Sequence, residues 1–169
     1  MNTILIVLLG KSSVGKTSLL YKYFFGHTLK RYETFEEDQF YYCESPYSSI
    51  KLVDLLEDDD FQIKLDNYIL KATGFLLVFA INDLDSFNKI KEIYSNIKKK
   101  RKKKLPILLV GNKCDLNAQR QVQKIDGKKF AKSIGGYYLE VTAMENVDIM
   151  INTLADLLLG NIGGICACC

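Results

Sequence analysis

Eight residues near the amino terminus, Gly10-Lys11-Ser12-Ser13-Val14-Gly15-Lys16-Thr17, constrain this chain more than any other stretch. They follow the apolar run 3–9 and precede Leu19, Leu20, Tyr23 and Phe24, which are spaced as one face of a helix. A glycine-bracketed turn between a buried strand and the start of a helix traps anions. Gly10 and Gly15 let the backbone curl so that successive N–H groups point inward. The helix that begins near Gly15 adds the positive end of its dipole. The spacing Gly-x-x-x-x-Gly-Lys-Thr is complete, so the stretch reads as a phosphate-binding loop. In that reading Ser13, Val14, Gly15, Lys16, Thr17 and Ser18 surround the phosphates, Lys16 reaches the outer ones, and the Thr17 hydroxyl is a ligand for Mg²⁺.

Beyond the loop, strand-like apolar segments alternate with helical patterns. Residues 38–44 and 49–54 read as two strands joined by a Ser-Pro-Tyr-Ser turn, an early hairpin. Residues 61–73 read as a helix with Leu65, Tyr68, Ile69 and Ala72 inward. Residues 75–81 form a continuous apolar run, as expected of a strand covered on both faces. Asp85 or Ser86 is placed to cap the next helix, whose apolar face is Phe87, Ile90, Ile93, Tyr94 and Ile97. A second buried strand spans 107–110. Residues 124–134 form a helix weakened by Gly127, residues 137–141 a short strand, and Val147 to Leu158 line a last helix. The expectation is an α/β domain: a six-stranded, mostly parallel sheet with helices on both faces. In such sheets ligands bind at the carboxyl ends of the strands. The domain is expected to span residues 1–159, with 160–169 a flexible tail.

A chain of 169 residues is one domain of ordinary size, and its apolar runs are too short to span a bilayer. Cys43 and Cys114 stand alone, while Cys166, Cys168 and Cys169 crowd the end. That is neither a disulfide framework nor a zinc spacing, and it fits a reducing cytosol. The formal charge is +3, but residues 98–104 are seven consecutive cations, and without them the balance is −4. This basic run falls between a helix and a strand and is expected to be exposed. Three uses are open to it: a solvated surface, contact with anionic lipid, or nuclear import and nucleic-acid contact. No aromatic residue interleaves it, which argues against base stacking and for no nucleic-acid partner.

The chemistry is expected just after the strands. Asn112-Lys113-Cys114-Asp115 follows the second buried strand. The Asp115 carboxylate can accept two hydrogen bonds from guanine N1 and N2, a donor pair that adenine lacks. Lys113 can lay its stem over the base, and Asn112 can tie this loop to the phosphate loop. After the last strand come Thr142, Ala143 and Met144, where the Ala143 N–H can donate to guanine O6. Asp54 ends the third strand opposite Thr17, where a carboxylate holds Mg²⁺ through water. The ligand expected is therefore GTP or GDP with Mg²⁺. The Asn112–Asp115 loop argues against a P-loop kinase or ATPase.

With these motifs together, residues 3–159 resemble a small GTPase of the Ras superfamily, and the Rab branch in particular. The resemblance rests on the phosphate loop, residues 32–35 as switch I, Asp54 as the start of switch II, the 112–115 motif and Thr142-Ala143. Ser12 and the Cys-Ala-Cys-Cys end are the Rab-like details. The resemblance implies that Thr34 contacts both Mg²⁺ and the γ-phosphate and orders switch I in the GTP state. It implies prenylation at Cys168 and Cys169, with Cys166 a further candidate. It also implies protein effectors, an exchange factor and an activating protein, vesicle traffic, and residence on the cytoplasmic face of endomembranes with a cytosolic pool.

Switch II departs from the family pattern Asp-x-x-Gly-Gln-Glu, reading Asp54-Leu55-Leu56-Glu57-Asp58-Asp59. Glu57 replaces the glycine that meets the γ-phosphate, and Asp58 stands in the catalytic position of the glutamine that orients water. Leu29 stands where an aromatic packs on the guanine edge, and Met144 where a lysine is usual. A catalytic set of Lys16, Thr34 and Asp58 implies slow hydrolysis. A nucleotide-binding adaptor without turnover is the alternative.

Overall fold

Each strand of the sheet sends alternate side chains to opposite sides, and the two resulting apolar layers are what the helices cover. The computed structural model describes residues 3–27, 38–44, 49–55, 60–145 and 147–159. In chain order the elements are β1 (Thr3–Leu9), α1 (Lys16–Phe25), β2 (Gln39–Glu44), β3 (Ser49–Asp54), α2 (Phe61–Lys71), β4 (Gly74–Ala80), α3 (Leu84–Lys100), β5 (Ile107–Asn112), a 3₁₀ stretch (Cys114–Gln119), α4 (Lys124–Ile134), β6 (Tyr137–Glu140) and α5 (Val147–Leu159). The sheet order is β2-β3-β1-β4-β5-β6, with β2 antiparallel to β3 and every other pair parallel. The expected α/β architecture, the early hairpin and all five helices are present.

On one face Val7, Leu9, Val53, Phe75, Leu77, Phe79 and Leu109 meet Leu65 and Ile69 of α2, Phe87, Ile90 and Ile97 of α3, and Ala131 and Ile134 of α4. On the other, Ile6, Leu8, Leu52, Leu76, Val78 and Leu108 meet Leu19 and Leu20 of α1 and Met150 and Leu154 of α5. Central strands β4 and β5 are buried along their whole length, which is why they read as unbroken apolar runs.

The parallel strands give the molecule two poles. Their carboxyl ends lie level, with Leu8 beside Asp54, Ala80 beside Asn112 and Gly111 beside Glu140. At the other pole, Phe75 N–H donates to the Pro106 carbonyl at 3.0 Å. A methyl group on Gly74 would sit 3.1 Å from that carbonyl oxygen and 3.3 Å from Leu158 of α5. The start of β4, the approach to β5 and the end of α5 therefore share one pole.

Three local expectations are corrected. The N-cap of α3 is Asp83, whose carboxylate accepts from Ser86 N–H at 3.0 Å. Ser86 is fully buried instead, its hydroxyl accepting from Ala80 N–H at 3.0 Å and donating to Asp83 O at 2.6 Å. Gly127 is not a simple weakness in α4, because a methyl group there would drive into the Tyr138 ring.

The third correction concerns the basic run. Lys98, Lys99 and Lys100 complete the last turn of α3, where cations suit the negative helix end. Arg101 is half-buried, and one guanidinium nitrogen donates to the carbonyls of Ile69, Leu70 and Ala72 at 3.0, 2.8 and 2.8 Å. Those carbonyls lie at the carboxyl end of α2, where the helix leaves acceptors without intrahelical donors. Lys100 pairs with Asp66 of the same helix and holds its carboxyl below the usual range. Two cations of the run therefore fasten α2 to α3.

The expectations for Leu29, residues 32–35 including Thr34, the 45–48 turn, Glu57, Asp58 and the cysteine tail with Cys166, Cys168 and Cys169 fall outside the described residues.

Candidate functional site

At the carboxyl pole the loop from β1 folds tightly against its neighbours. Gly10 passes so close to β4 that a Cβ would collide with the Val78 carbonyl oxygen. Gly15 holds φ at 95°, a left-handed conformation, and its missing Cβ leaves room for the Asn112 amide. Within this loop a side chain is excluded at both positions, and they are the two glycines of the motif. Helix α1 starts immediately after, with no acidic residue of its own in its first turn, so the positive end of its dipole faces the loop. The Lys16 ammonium lies over the loop, donating to the carbonyls of Gly10 at 2.9 Å and Lys11 at 3.2 Å.

The loop after β5 is fastened to this one. Asn112 Nδ2 donates to Val14 O at 2.8 Å, and Lys113 Nζ donates to Ser13 O at 2.8 Å. Ser13 and Lys113 are the two non-glycine residues with positive φ among the described residues, at 64° and 63°. The strained positions thus face each other across the junction. Asp115 is exposed and forms no ion pair with any described residue. Thr142 is buried, its hydroxyl accepting from Met144 N–H at 3.2 Å, while Ala143 is half-buried and Met144 exposed. Cys114 N–H donates to Val141 O at 3.2 Å, which brings the β6 exit against the β5 exit. The Cys114 thiol is pushed up by burial and by the charges of Glu140 and Asp115, so it stays protonated and unreactive near neutral pH.

One orphan atom bears on what fits here. Asn112 Oδ1 is buried without a hydrogen-bond partner among the described residues, although the amide nitrogen of the same side chain is satisfied. A buried acceptor left unmet costs free energy. A ligand donor between the two loops suits it, as the exposed Asp115 carboxylate suits a pair of N–H donors. A ligand with an anionic end and a hydrogen-bonding base therefore fits the two loops.

Thr17 and Asp54 meet from different elements, the Thr17 hydroxyl donating to Asp54 Oδ2 at 2.5 Å. Asp54 is only 5% exposed. A hydroxyl and a buried carboxylate side by side are hard oxygen donors of the kind Mg²⁺ takes, and Mg²⁺ commonly keeps waters and uses few protein ligands. The two residues fit such an ion. Tyr41 of β2, buried and close to the Asp54 charge, has its hydroxyl pushed up to about 12.

Sequence reasoning missed the group that supports the loop after β5. Arg120 grips Glu140 through two bonds of 2.8 and 3.0 Å, with both side chains largely buried. The Tyr138 hydroxyl donates to Glu140 at 2.7 Å, and Arg120 also donates to Asn117 and to Val122 O. Burial alone would raise the Glu140 carboxyl, but Arg120 and Tyr138 outweigh it and hold the group below its usual range. Burial and Glu140 raise the Tyr138 hydroxyl. Gly111 leaves space for this group, since a methyl there would meet the Tyr138 hydroxyl at 2.9 Å. Nothing in the spacing of Arg120 and Glu140 signals the pair. Lys11 was likewise unassigned; it forms a half-exposed 3.2 Å ion pair with Asp83 that joins the phosphate loop to α3.

The family model described as the Ras family matches residues 5–159. A relative named GTPase RhebL1 from Mus musculus is 32% identical, over 90% of this chain and 86% of its own. The GTP-binding protein Rheb homolog of Drosophila melanogaster is 34% identical over 85% of this chain and 81% of its own. Ras-like protein rasS of Dictyostelium discoideum is 31% identical over 85% and 76%. These relatives are Rheb and Ras-like, whereas Ser12 and the terminal cysteines had pointed to the Rab branch.

Proposed function

The chain belongs to the Ras family of small GTPases, and from that premise we propose that it is a Rheb- or Ras-like switch, binding GTP or GDP with Mg²⁺ and hydrolysing GTP slowly. One observation carries the site assignment. Asn112 and Lys113 lock the 112–115 loop onto Val14 and Ser13 of the phosphate loop, which sets a fixed separation between a phosphate end and a base end.

In this reading the N–H groups of Ser13 through Ser18 and the α1 dipole receive the phosphates. Lys16 exchanges its carbonyl contacts for phosphate oxygens. Asp115 accepts from guanine, Lys113 lies along the base, and Thr142, Ala143 and Met144 close its far edge. Thr17, Asp54 and Thr34 hold Mg²⁺, which when bound neutralises charge on the outer phosphates. Asp58 stands where a neutral amide would orient the attacking water, and its negative charge suits that task poorly.

Single-turnover hydrolysis of γ-labelled GTP tests this. Wild-type protein should bind guanine nucleotide and turn over slowly, and the double variant Glu57→Gly/Asp58→Gln should turn over severalfold faster. Wild-type turnover equal to that of the double variant would sink the slow-switch reading. Tight GTP binding with no turnover in either protein would support the adaptor alternative.

Effectors, an exchange factor and an activating protein are the partners such a switch requires. Attachment to the cytoplasmic face of endomembranes, with a cytosolic pool, follows if Cys168 and Cys169 carry prenyl groups, since two lipid signals hold where one is marginal. Fractionation of Cys168→Ser/Cys169→Ser should find it soluble. A Rab-like role in vesicle traffic is the finer alternative; Ser12 and the terminal cysteines favour it, while the Rheb and Ras-like relatives favour the other branch.

A further inference from the structure

The site occupies the carboxyl pole of the sheet, and the opposite pole carries the largest concentration of charge in the sequence. No acidic residue occurs between Glu92 and Asp115, and seven consecutive cations fall within that gap. Two are committed to α2, Lys100 to Asp66 and Arg101 to the carbonyls of Ile69, Leu70 and Ala72. The other five, Lys98, Lys99, Lys102, Lys103 and Lys104, are exposed and make no ion pair or hydrogen bond with any described residue.

Their arrangement follows from Arg101. Its three carbonyl contacts pin the middle of the run to α2, so lysines stand on both sides of a fixed point instead of trailing from a loose loop. Less conformational entropy is then lost when the lysines meet a surface. The Gly74 neighbourhood places the end of α5 at the same pole, with Leu158 and the Pro106 carbonyl both close to it. Residues 160–169, which continue from α5, contain no charged residue at all.

We propose that these five lysines form a docking surface for the anionic headgroups of a lipid bilayer, with the nucleotide pole turned toward the cytosol. The chemistry favours lipid over nucleic acid. The one arginine of the run, the residue suited to bidentate phosphate recognition, is spent on α2. What remains is five point charges on flexible stems without an interleaved aromatic, which suits a diffuse layer of negative charge and not a stacked base. The proposal depends on neither hydrolysis nor prenylation, so nucleotide binding measured on the same preparation separates its failure from that of the switch reading.

The test uses the full chain made without lipid modification, as wild type and as a variant with all five lysines changed to serine, Lys100 and Arg101 being kept. Each is sedimented with vesicles of phosphatidylcholine alone or with about 30% phosphatidylserine. Wild type should bind the anionic vesicles only and be released at about 0.5 M salt. The variant should partition at least tenfold less, as expected when even two or three of the lysines lie at the surface, with unchanged GDP affinity. Equal partition of the two proteins would overturn the proposal, as would binding of wild type to neutral vesicles as strongly as to anionic ones. Displacement from vesicles by single-stranded RNA at equal phosphate concentration would also overturn it, in favour of a nucleic-acid site. Salt release and the neutral-vesicle control are read on wild type alone, so they decide even if the variant folds poorly.

Discussion

In the loop between β1 and α1, Lys16 turns back onto the carbonyls of Gly10 and Lys11, and Lys113 arrives from β5 to bond Ser13 O. At the end of α3 and in the segment that leads from it to β5, Lys100 and Arg101 bond to α2 while five lysines face water. Both regions are rich in cations, yet the first gathers its charge around inward-curled backbone and the second spreads it over a surface. Concentrated charge over oriented N–H groups can select one small anion with defined geometry. Dispersed charge on mobile stems attracts a field of anions and discriminates weakly. The number of lysines says little about which outcome applies; the backbone beneath them decides.

That contrast can be tested from the interior outward. The largest effect is expected at the support of the carboxyl pole. Glu140→Gln leaves the Arg120 guanidinium largely buried against a neutral amide, and should lower unfolding free energy by about 3 kcal/mol, read by urea denaturation. The pH dependence has a definite sign. The Glu140 carboxyl is held below its ordinary value, so its contribution is complete above the usual carboxylate range and fades as pH falls through the lowered value. Wild type should therefore lose stability on acidification more steeply than Glu140→Gln.

Asp115→Asn comes next. It should weaken GDP and GTP by about 2–3 kcal/mol, roughly a hundredfold in Kd, while leaving the melting temperature of the nucleotide-free protein unchanged because the carboxylate is exposed and unpaired among the described residues. Titration with a fluorescent guanine nucleotide reads it, and equal affinity would remove Asp115 from the base site.

Arg101→Ala probes the inward half of the basic segment. Losing a charged donor shared by three carbonyls should cost about 2 kcal/mol and raise hydrogen exchange at the end of α2, with guanine affinity nearly unchanged. Gly127→Ala is a smaller and sharper case. Helix propensity alone predicts a gain of up to about 1 kcal/mol. The Tyr138 ring in the way predicts a net loss of about 1 kcal/mol instead. The five-lysine variant should lose no more than about 1 kcal/mol, from Lys98 and Lys99 at the negative end of α3, because its lysines are exposed and bond to no described residue.

The Gly10–Thr17 stretch, the Asn112–Asp115 motif and Asp54 stood out because each is a residue type at a fixed distance from a strand end, and the structure brings them to one pole. The alternation of 2-residue and 3.6-residue periods marked the strands and helices. Their spatial order did not follow from pattern alone: β1 lies between β3 and β4, and only packing two apolar layers on one sheet settles that order. Thr34, Glu57 and Asp58 lie outside the described residues, and their roles are proposed from the resemblance.

The amino-acid sequence by itself determined the fold class, the glycine-bracketed turn after β1 and the place of the 112–115 loop after β5. Each is encoded within a few residues by glycine at positions with no room for a side chain, by apolar periodicity and by local spacing. The tertiary structure alone decided what the other polar groups do. Arg120 and Glu140 are 20 residues apart, and Arg101 reaches carbonyls about 30 residues back, at separations no local pattern records. Their partners are set by which strand ends and helix ends the closed sheet brings together. Those buried or half-buried donors and acceptors must then find each other, because an unmet polar group away from water costs more than ordering a long side chain to meet it.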